Sequence, residues 1–119
     1  FTYVSDIVKA LVAAAESPKT DAVYNVGSGA TVSVNRLVEL LGGEKVFIPK
    51  RPGEPDCTFA DISKIQGELG WFPEVTIEQG IPQLLEHIEY WRDAPVWTPD
   101  SIAAATQDWF KYLGSSDSG

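Results

Sequence analysis

The sequence predicts an α/β lobe that contains few short strands and about five helices. Three observations carry this prediction. Five segments begin with residues typical of helix starts, whereas only residues 22–26 and 45–48 have the composition and length of strands. The length of 119 residues fits one domain of ordinary size. The composition, 44% hydrophobic and 22% charged, is that of a globular chain with one modest core.

The first half of the chain alternates helices with strands. A helix is predicted over residues 5–17, where apolar side chains recur at helical spacing until Pro18 interrupts them. Residues 22–26 predict a buried strand, because β-branched and aromatic residues alternate there before a glycine-rich turn. Ser33 then begins a second helix that Gly42 ends, and residues 45–48 predict a second strand.

A proline-rich loop separates the two halves. Residues 49–55 contain three prolines and a glycine, which restrict the backbone of the loop. A brief extended stretch is expected over residues 57–60. Asp61 is then predicted to cap a short helix, residues 62–69, which Gly70 ends.

The second half is predicted to be helical. Thr76 and Gln79 have the spacing of a capping box and predict a long helix to about Trp91, with Pro82 bending it or shortening its first turn. A last helix is predicted from Pro99 to Leu113. The domain is therefore expected over residues 1–114, with a disordered tail over 115–119.

Charge and composition exclude several classes of function. The net charge of −8 argues against nucleic-acid binding, which depends on clustered Lys and Arg. No apolar run approaches the roughly 18 residues of a membrane span. Cys57 is the only cysteine and His87 the only histidine, so an internal disulfide is excluded and a metal site is not expected. The single cysteine favours a reducing compartment, the cytoplasm. The sequence contains no methionine, so we expect it to be part of a longer protein.

The loop around Arg51 is the most informative segment for function. Arg51 lies between Pro49 and Pro52, so its guanidinium can be presented to a ligand with little loss of backbone freedom. A guanidinium binds phosphate through two parallel hydrogen bonds, and the carboxylate of Glu54 suits a ribose or sugar diol. From composition alone, a solvated turn is the favoured interpretation of this loop.

Several motifs along the chain occur together in a known family. In order, they are Phe1-Thr2-Tyr3-Val4-Ser5-Asp6, Asn25-Val26-Gly27-Ser28-Gly29, Arg51-Pro52-Gly53-Glu54, Ala60-Asp61-Ile62-Ser63-Lys64 and Leu69-Gly70-Trp71-Phe72-Pro73. Over residues 1–92 this order resembles the C-terminal half of extended short-chain dehydrogenases/reductases that act on nucleotide sugars, particularly those of the UDP-glucose 4-epimerase type. The resemblance implies a nucleotide-sugar-binding lobe that is normally attached to a Rossmann domain, which this sequence lacks.

The resemblance also implies roles for single residues. It assigns the nucleotide diphosphate to Arg51, the ribose to Glu54 and the width of the sugar pocket to Thr58. Tyr3 matches the segment that re-enters the substrate domain and is a further candidate for substrate contact. Packing for Tyr3 and helix capping for Asp6 are the alternative roles.

The catalytic and cofactor groups of the family are missing from this sequence. No tyrosine is followed four residues later by lysine, and the spacing of Gly67 and Gly70 is interrupted by Pro73 where a third glycine of the NAD loop would stand. We therefore expect no catalytic, cofactor or metal residue in this chain and no activity from it alone, with NAD serving the complete enzyme. The resemblance favours 4-epimerisation. A 4,6-dehydratase and a non-catalytic interaction module are the alternatives.

The surface of the lobe is expected to be partly apolar. Separation from a Rossmann domain would expose residues of the first helix, such as Ile7 and Leu11, and of the turn at Trp71 and Phe72, and would favour self-association. The tail lies beyond the family core. It carries Ile102, Ala105, Trp109 and Leu113 on one helix face, which predicts a wrap over the lobe, with a subunit contact as the alternative.

Overall fold

The computed structural model describes residues 1–114, which form six α-helices and one short 3₁₀ helix. The predicted tail over 115–119 lies outside the described residues. The α-helices are α1 (Val4–Glu16), α2 (Val34–Leu41), α3 (Ser63–Leu69), α4 (Ile77–Glu86), α5 (Pro99–Ala105) and α6 (Gln107–Leu113), and the 3₁₀ helix is Ile88–Trp91.

Local sequence signals set several helix ends, as predicted, although the N-cap of α3 is Ile62 and not Asp61. The Ser33 hydroxyl accepts a hydrogen bond from the Arg36 N–H at 3.1 Å and begins α2. The capping box of α4 is complete: the Thr76 hydroxyl accepts from the Gln79 N–H, and the Gln79 side chain accepts from the Thr76 N–H. Gly70 ends α3 in the left-handed conformation, with φ of 63°, which glycine adopts without steric cost.

The two long helices predicted in the second half are each interrupted. The helix that begins after Thr76 ends at Glu86, and its continuation tightens into the 3₁₀ helix. The tail helix divides at Thr106, whose hydroxyl donates to the Ile102 carbonyl at 2.8 Å and whose φ and ψ of −102° and 6° leave the helical region. Long helices gain their stability from packing, and nearly all residues beyond Ile81 in α4 and the 3₁₀ helix are exposed.

The predicted α/β class is wrong, because residues 1–114 contain no strand. Residues 22–26 have no regular secondary structure, although their burial alternates as in a strand: Tyr24 and Val26 pack against the core while Val23 is 82% exposed. Residues 45–48 also have no regular secondary structure, and Val46 and Phe47 are 72% and 77% exposed. A strand requires a hydrogen-bonded neighbour. The two segments form no ladder with each other or with any other described segment, so the strand pattern stays unpaired.

The core is small and joins α1 to α3. Its buried side chains are Ala10, Ile62, Ile65 and Trp71, with Tyr24, Val26, Ala60 and Leu69 packed at its edge. Gly27 is buried against Ala60, and a Cβ on this glycine would lie only 2.9 Å from the Ala60 Cβ. The segment 22–26 can therefore approach the core closely only because a glycine follows it.

Asp6 is the one charged side chain that is fully buried among the described residues. It does not cap its own helix, since the N-cap of α1 is Tyr3, and the capping role considered for Asp6 is wrong. Its Oδ2 atom instead accepts hydrogen bonds from the N–H groups of Glu74 and Val75 at 3.1 and 3.0 Å. Its carbonyl accepts from Trp71 Nε1 at 3.2 Å. Asp6 thus joins α1 to the turn that leads into α4.

The molecule is more open than a compact domain of its length. Its radius of gyration is 18.3 Å, whereas about 13–14 Å is expected for a compact chain of this size. One face of α1 is exposed and apolar: Val4, Val8 and Leu11 are 66%, 52% and 66% exposed. The expected exposure of Leu11 and Phe72 is confirmed, whereas Trp71 is only 5% exposed, contrary to prediction. None of the helices up to residue 114 is long and apolar enough to cross a membrane.

Replacement of the buried carboxylate should destabilise the lobe. In Asp6→Ala, the N–H groups of Glu74 and Val75 lose their acceptor inside the protein, and we expect a loss of about 2–4 kcal/mol in the free energy of unfolding. Urea unfolding followed by far-ultraviolet circular dichroism measures this loss. Asp93→Ala, at an exposed aspartate, is the matched control and should change stability by less than about 0.5 kcal/mol. Equal stability of the two variants would contradict a central role for Asp6.

The exposed face of α1 should make the chain self-associate. We expect the sedimentation coefficient to rise with protein concentration, because neighbouring molecules can cover Val4, Val8 and Leu11. Leu11→Lys should shift the equilibrium towards monomer. Val96→Lys, at a valine that is 88% exposed outside α1, should not. A monomer at all concentrations would show that the exposed face of α1 does not cause self-association.

Candidate functional site

The loop between α2 and α3 contains a tight turn at the candidate residues. The Glu54 N–H donates to the Arg51 carbonyl at 3.4 Å, which closes the turn. Gly53 has a φ of 72°, a left-handed backbone conformation that residues other than glycine rarely adopt. The turn therefore brings the side chains of Arg51 and Glu54, three positions apart, onto the same side.

Arg51 and Glu54 form a bidentate ion pair. Arg51 Nε donates to Glu54 Oε2 at 3.0 Å, and Nη2 donates to Oε1 at 2.7 Å. These hydrogen bonds, and then the attraction between the charges, raise the pKa of Arg51 and hold the pKa of the Glu54 carboxyl below its ordinary value. Lys50 pairs with Asp56 in the same loop. Each of the two cations thus has an anion beside it.

Helix α6 packs onto this turn. Trp109 Nε1 donates to the Pro52 carbonyl at 2.7 Å, and the guanidinium carbon of Arg51 lies 5.2 Å from the centre of the Trp109 ring. A Cβ placed on Gly53 would lie 3.8 Å from Leu113 Cδ1, so the end of α6 also adjoins the turn. The tail therefore packs on the lobe, as its apolar face predicted.

A groove of about 330 Å³ lies between the loop and the tail helices. Its lining is apolar apart from Arg51 and the hydroxyl of Thr106. The lining residues are Phe47, Ile48, Pro49, Arg51, Pro99, Ile102, Ala103, Thr106 and Phe110. A groove with aromatic walls and one cation suits a ligand that combines an apolar or planar ring with an anionic group.

The other two candidate residues lie apart from this groove. Tyr3 lines a separate apolar cavity of about 370 Å³ between the start of α1, α2 and α4. Its ring packs against Gly80, where an added Cβ would lie 2.8 Å from Tyr3 Cδ2. Thr58 is exposed on the extended stretch 57–60 and lines neither cavity. The structure thus brings together Arg51 and Glu54 and separates them from Tyr3 and Thr58.

Sequence reasoning did not place Trp109, Phe47 and Phe110 at this site. Phe47 was assigned to a strand, and Trp109 to a helix face in need of a packing partner. That face was the available signal, because a tryptophan at helical spacing with other apolar residues requires a surface to cover. The apolar pattern of the tail does not indicate that this surface is the Arg51 loop.

Metal coordination has no basis in the described part of the chain. Within residues 1–114, no group of three or more His, Cys, Asp or Glu side chains is placed to hold a metal ion. Cys57 is exposed and carries a free thiol.

Several curated proteins named as nucleotide-sugar enzymes are similar to this chain in sequence. The chain is 33% identical over 88 residues to a UDP-glucuronate 4-epimerase of Thermodesulfobacterium geofontis, covering 68% of this chain and 27% of that protein. It is 34% identical over 84 residues to a UDP-glucose 4-epimerase of Corynebacterium glutamicum, covering 64% and 26%. A dTDP-4-dehydro-6-deoxyglucose reductase of Escherichia coli is 30% identical over 96 residues, covering 74% and 30%. This chain is similar to nucleotide-sugar epimerases and reductases.

The similarity is confined to part of each relative. The chain spans between 26% and 30% of the length of these three proteins. No family model matches the chain, and no solved structure matches it significantly.

The ion pair between Arg51 and Glu54 should be lost on acidification. A carboxyl whose pKa is depressed on folding contributes to stability above its unfolded pKa, and this contribution disappears as the pH falls through the folded value. We therefore expect the Glu54 carboxyl carbon to titrate below the ordinary glutamate pKa of about 4.3, as followed by carbon NMR. Arg51→Gln should return this pKa to the ordinary range, whereas Lys50→Gln should move it less, since Lys50 is the weaker influence. An unshifted Glu54 would show that the pair does not form in solution.

Proposed function

We propose that this chain is the nucleotide-sugar-binding part of an NAD-dependent nucleotide-sugar 4-epimerase of the extended short-chain dehydrogenase/reductase family. The observation that carries the proposal is the similarity to two UDP-sugar 4-epimerases over 64–68% of the chain. The Arg51-Pro52-Gly53-Glu54 loop supports it, because its arginine borders a groove of about 330 Å³ that suits a nucleotide.

In this proposal Arg51 binds the diphosphate of the nucleotide sugar. Two of its guanidinium N–H groups are used by Glu54, on Nε and on Nη2. A guanidinium has five such donors, so the edge formed by Nη1 and the second Nη2 hydrogen is available for two phosphate oxygens. Glu54 neutralises part of the positive charge of Arg51. A pyrophosphate carries enough negative charge to bind the Nη1 and Nη2 edge nevertheless.

Glu54 is proposed to contact the ribose. Both of its oxygens accept from Arg51, but each carboxylate oxygen can accept a second hydrogen bond. A ribose hydroxyl can therefore bind Glu54 without breaking the ion pair. The aspartate found in many members of the family would be shorter by one methylene, which would alter this reach.

Thr58 and Tyr3 are assigned weaker roles. Thr58 remains a proposed determinant of the width of the sugar pocket, since its small exposed side chain leaves space for a bulky C2 substituent. Tyr3 remains a proposed substrate contact, although its packing against Gly80 supports a structural role more directly.

NAD and the catalytic groups belong to the proposed complete enzyme. The described residues do not fit NAD, because they contain neither a strand nor the glycine-rich turn into a helix that holds a dinucleotide. No chemical step is therefore assigned to this chain, whose role is to bind and orient the substrate. The Rossmann domain of the same enzyme is the proposed intramolecular partner, and the cytoplasm the proposed location.

Two other functions are compatible with some of these observations. A nucleotide-sugar 4,6-dehydratase would use the same loop for the diphosphate. The similarity to a dTDP-4-dehydro-6-deoxyglucose reductase keeps both dTDP and UDP as candidate nucleotides. A non-catalytic interaction module would need neither nucleotide, so a direct binding measurement separates it from the enzymes.

The chain should bind nucleotide sugars through Arg51, but only weakly. We expect UDP-glucose and dTDP-glucose to shift the Arg51 Nε–Hε NMR signal with dissociation constants weaker than micromolar, because the lobe provides only one side of the site. Arg51→Gln should abolish specific binding, whereas Lys50→Gln, at the neighbouring cation paired with Asp56, should retain it.

The complete enzyme provides a second measurement. There, Arg51→Gln should raise the KM for the nucleotide sugar by about ten- to a hundredfold, which corresponds to the loss of a charge-assisted bidentate contact. The affinity for NAD should remain unchanged. Unaltered nucleotide-sugar binding by Arg51→Gln in both measurements would refute the proposal.

A further inference from the structure

We infer that Trp109 is a positioning residue that holds Arg51 in a phosphate-binding orientation. The tail helix α6 would then be part of the nucleotide-sugar site. This inference rests on the proposed function of Arg51 and extends it to a segment outside the region of family resemblance.

Trp109 contacts the Arg51 turn through both its polar edge and its ring. The indole N–H donates to the Pro52 carbonyl at 2.7 Å and so fixes the backbone directly after Arg51. The ring lies 5.2 Å from the guanidinium carbon, within the range of a cation–π interaction. One side chain therefore restrains the main chain of the turn and the cation that the turn carries.

Glu54 and Trp109 together leave one part of the guanidinium for a ligand. Glu54 occupies the edge formed by Nε and Nη2, and the Trp109 ring lies against the cation. Within residues 1–114, Nη1 has no hydrogen-bond partner. Since a guanidinium binds phosphate edge-on through two parallel N–H groups, the remaining Nη1 and Nη2 donors have the arrangement that a diphosphate requires.

The contacts with Glu54 and Trp109 preorganise Arg51 for anion binding. A free arginine side chain loses much rotational freedom when it binds an anion. Contacts that restrict Arg51 before binding reduce this loss, and they compensate in part for the charge that Glu54 neutralises. Trp109 is not part of the buried core cluster, and its hydrogen bond and its cation–π contact are both with the loop.

The test is a comparison of tryptophan variants of the chain by nitrogen NMR. The sequence contains three arginines, so the Arg51 Nε–Hε signal can be assigned with single variants. Trp109→Leu removes both contacts, and Trp109→Phe retains an aromatic ring but loses the donor to Pro52. Trp97→Leu is the matched control, because Trp97 lies in the same tail and is 63% exposed. The Trp71 Nε1–H signal, whose proton is bound to the Asp6 carbonyl, reports whether the core is intact.

The inference predicts changes at Arg51 with an unchanged core. In Trp109→Leu, Arg51 Nε–Hε should exchange faster with water and the dissociation constant for UDP should rise about three- to tenfold. Trp109→Phe should give intermediate values, and Trp97→Leu should match the unaltered chain. If Trp109→Leu also disturbs the Trp71 signal, the Arg51 exchange and the UDP affinity of Trp109→Phe decide whether the inference holds.

Two other results would overturn the inference in distinguishable ways. If Arg51→Gln lowers UDP binding but Trp109→Leu leaves both Arg51 exchange and affinity unchanged, the positioning role is wrong and the proposed function stands. If UDP binds equally to the unaltered chain and to Arg51→Gln, and Arg51→Gln also leaves the KM of the complete enzyme unchanged, the phosphate role of Arg51 is wrong and the inference fails with it.

Discussion

The buried carboxylate of Asp6 connects parts of the chain that are far apart in sequence. Through Oδ2 it accepts the N–H groups of Glu74 and Val75, and through its carbonyl it accepts the indole N–H of Trp71. A buried carboxylate is costly unless hydrogen bonds compensate it. Within residues 1–114 only Oδ2 of Asp6 is paired, and its two hydrogen bonds favour one register between α1 and the turn over residues 71–75. That register places Trp71 in the core and directs the chain into α4.

The packing of α4 follows from the same register. With the turn over residues 71–75 held against α1, the ring of Tyr3 lies on Gly80, which has no side chain to prevent the contact. Arg36 of α2 pairs with Glu78 of α4 at 3.4 Å on the exposed side. Such an exposed pair contributes little by itself. The Asp6 hydrogen bonds, the contact of Tyr3 with Gly80 and the packing of α2 against α4 together hold α4 in position.

The candidate site depends on a different set of contacts. The Arg51 turn lies outside the small core and is held by its own ion pair and by Trp109 of α6. This division suits a binding loop, because a loop supported by its own contacts can adapt to a ligand without disturbing the core. The apolar face of α1 gives the lobe a surface that another domain could cover, in keeping with the proposed attachment to a Rossmann domain.

The sequence by itself determined the features that depend on neighbouring residues. Ser33, the pair of Thr76 and Gln79, and Gly70 set helix ends, because a cap is formed within one turn of the chain. The pairing of Arg51 with Glu54 is equally local, since one turn brings the two side chains together. The sequence also predicted an apolar tail face in need of a partner.

The tertiary structure decided what depends on distant partners. Residues 22–26 carry the alternation of a strand, but a strand exists only when another segment supplies the hydrogen bonds, and none does up to residue 114. The partners of Asp6 lie 68 and 69 positions away, and the carbonyl that Trp109 binds lies 57 positions away. No local pattern contains such pairings, because they arise only when the helices pack and bring these groups within hydrogen-bonding distance.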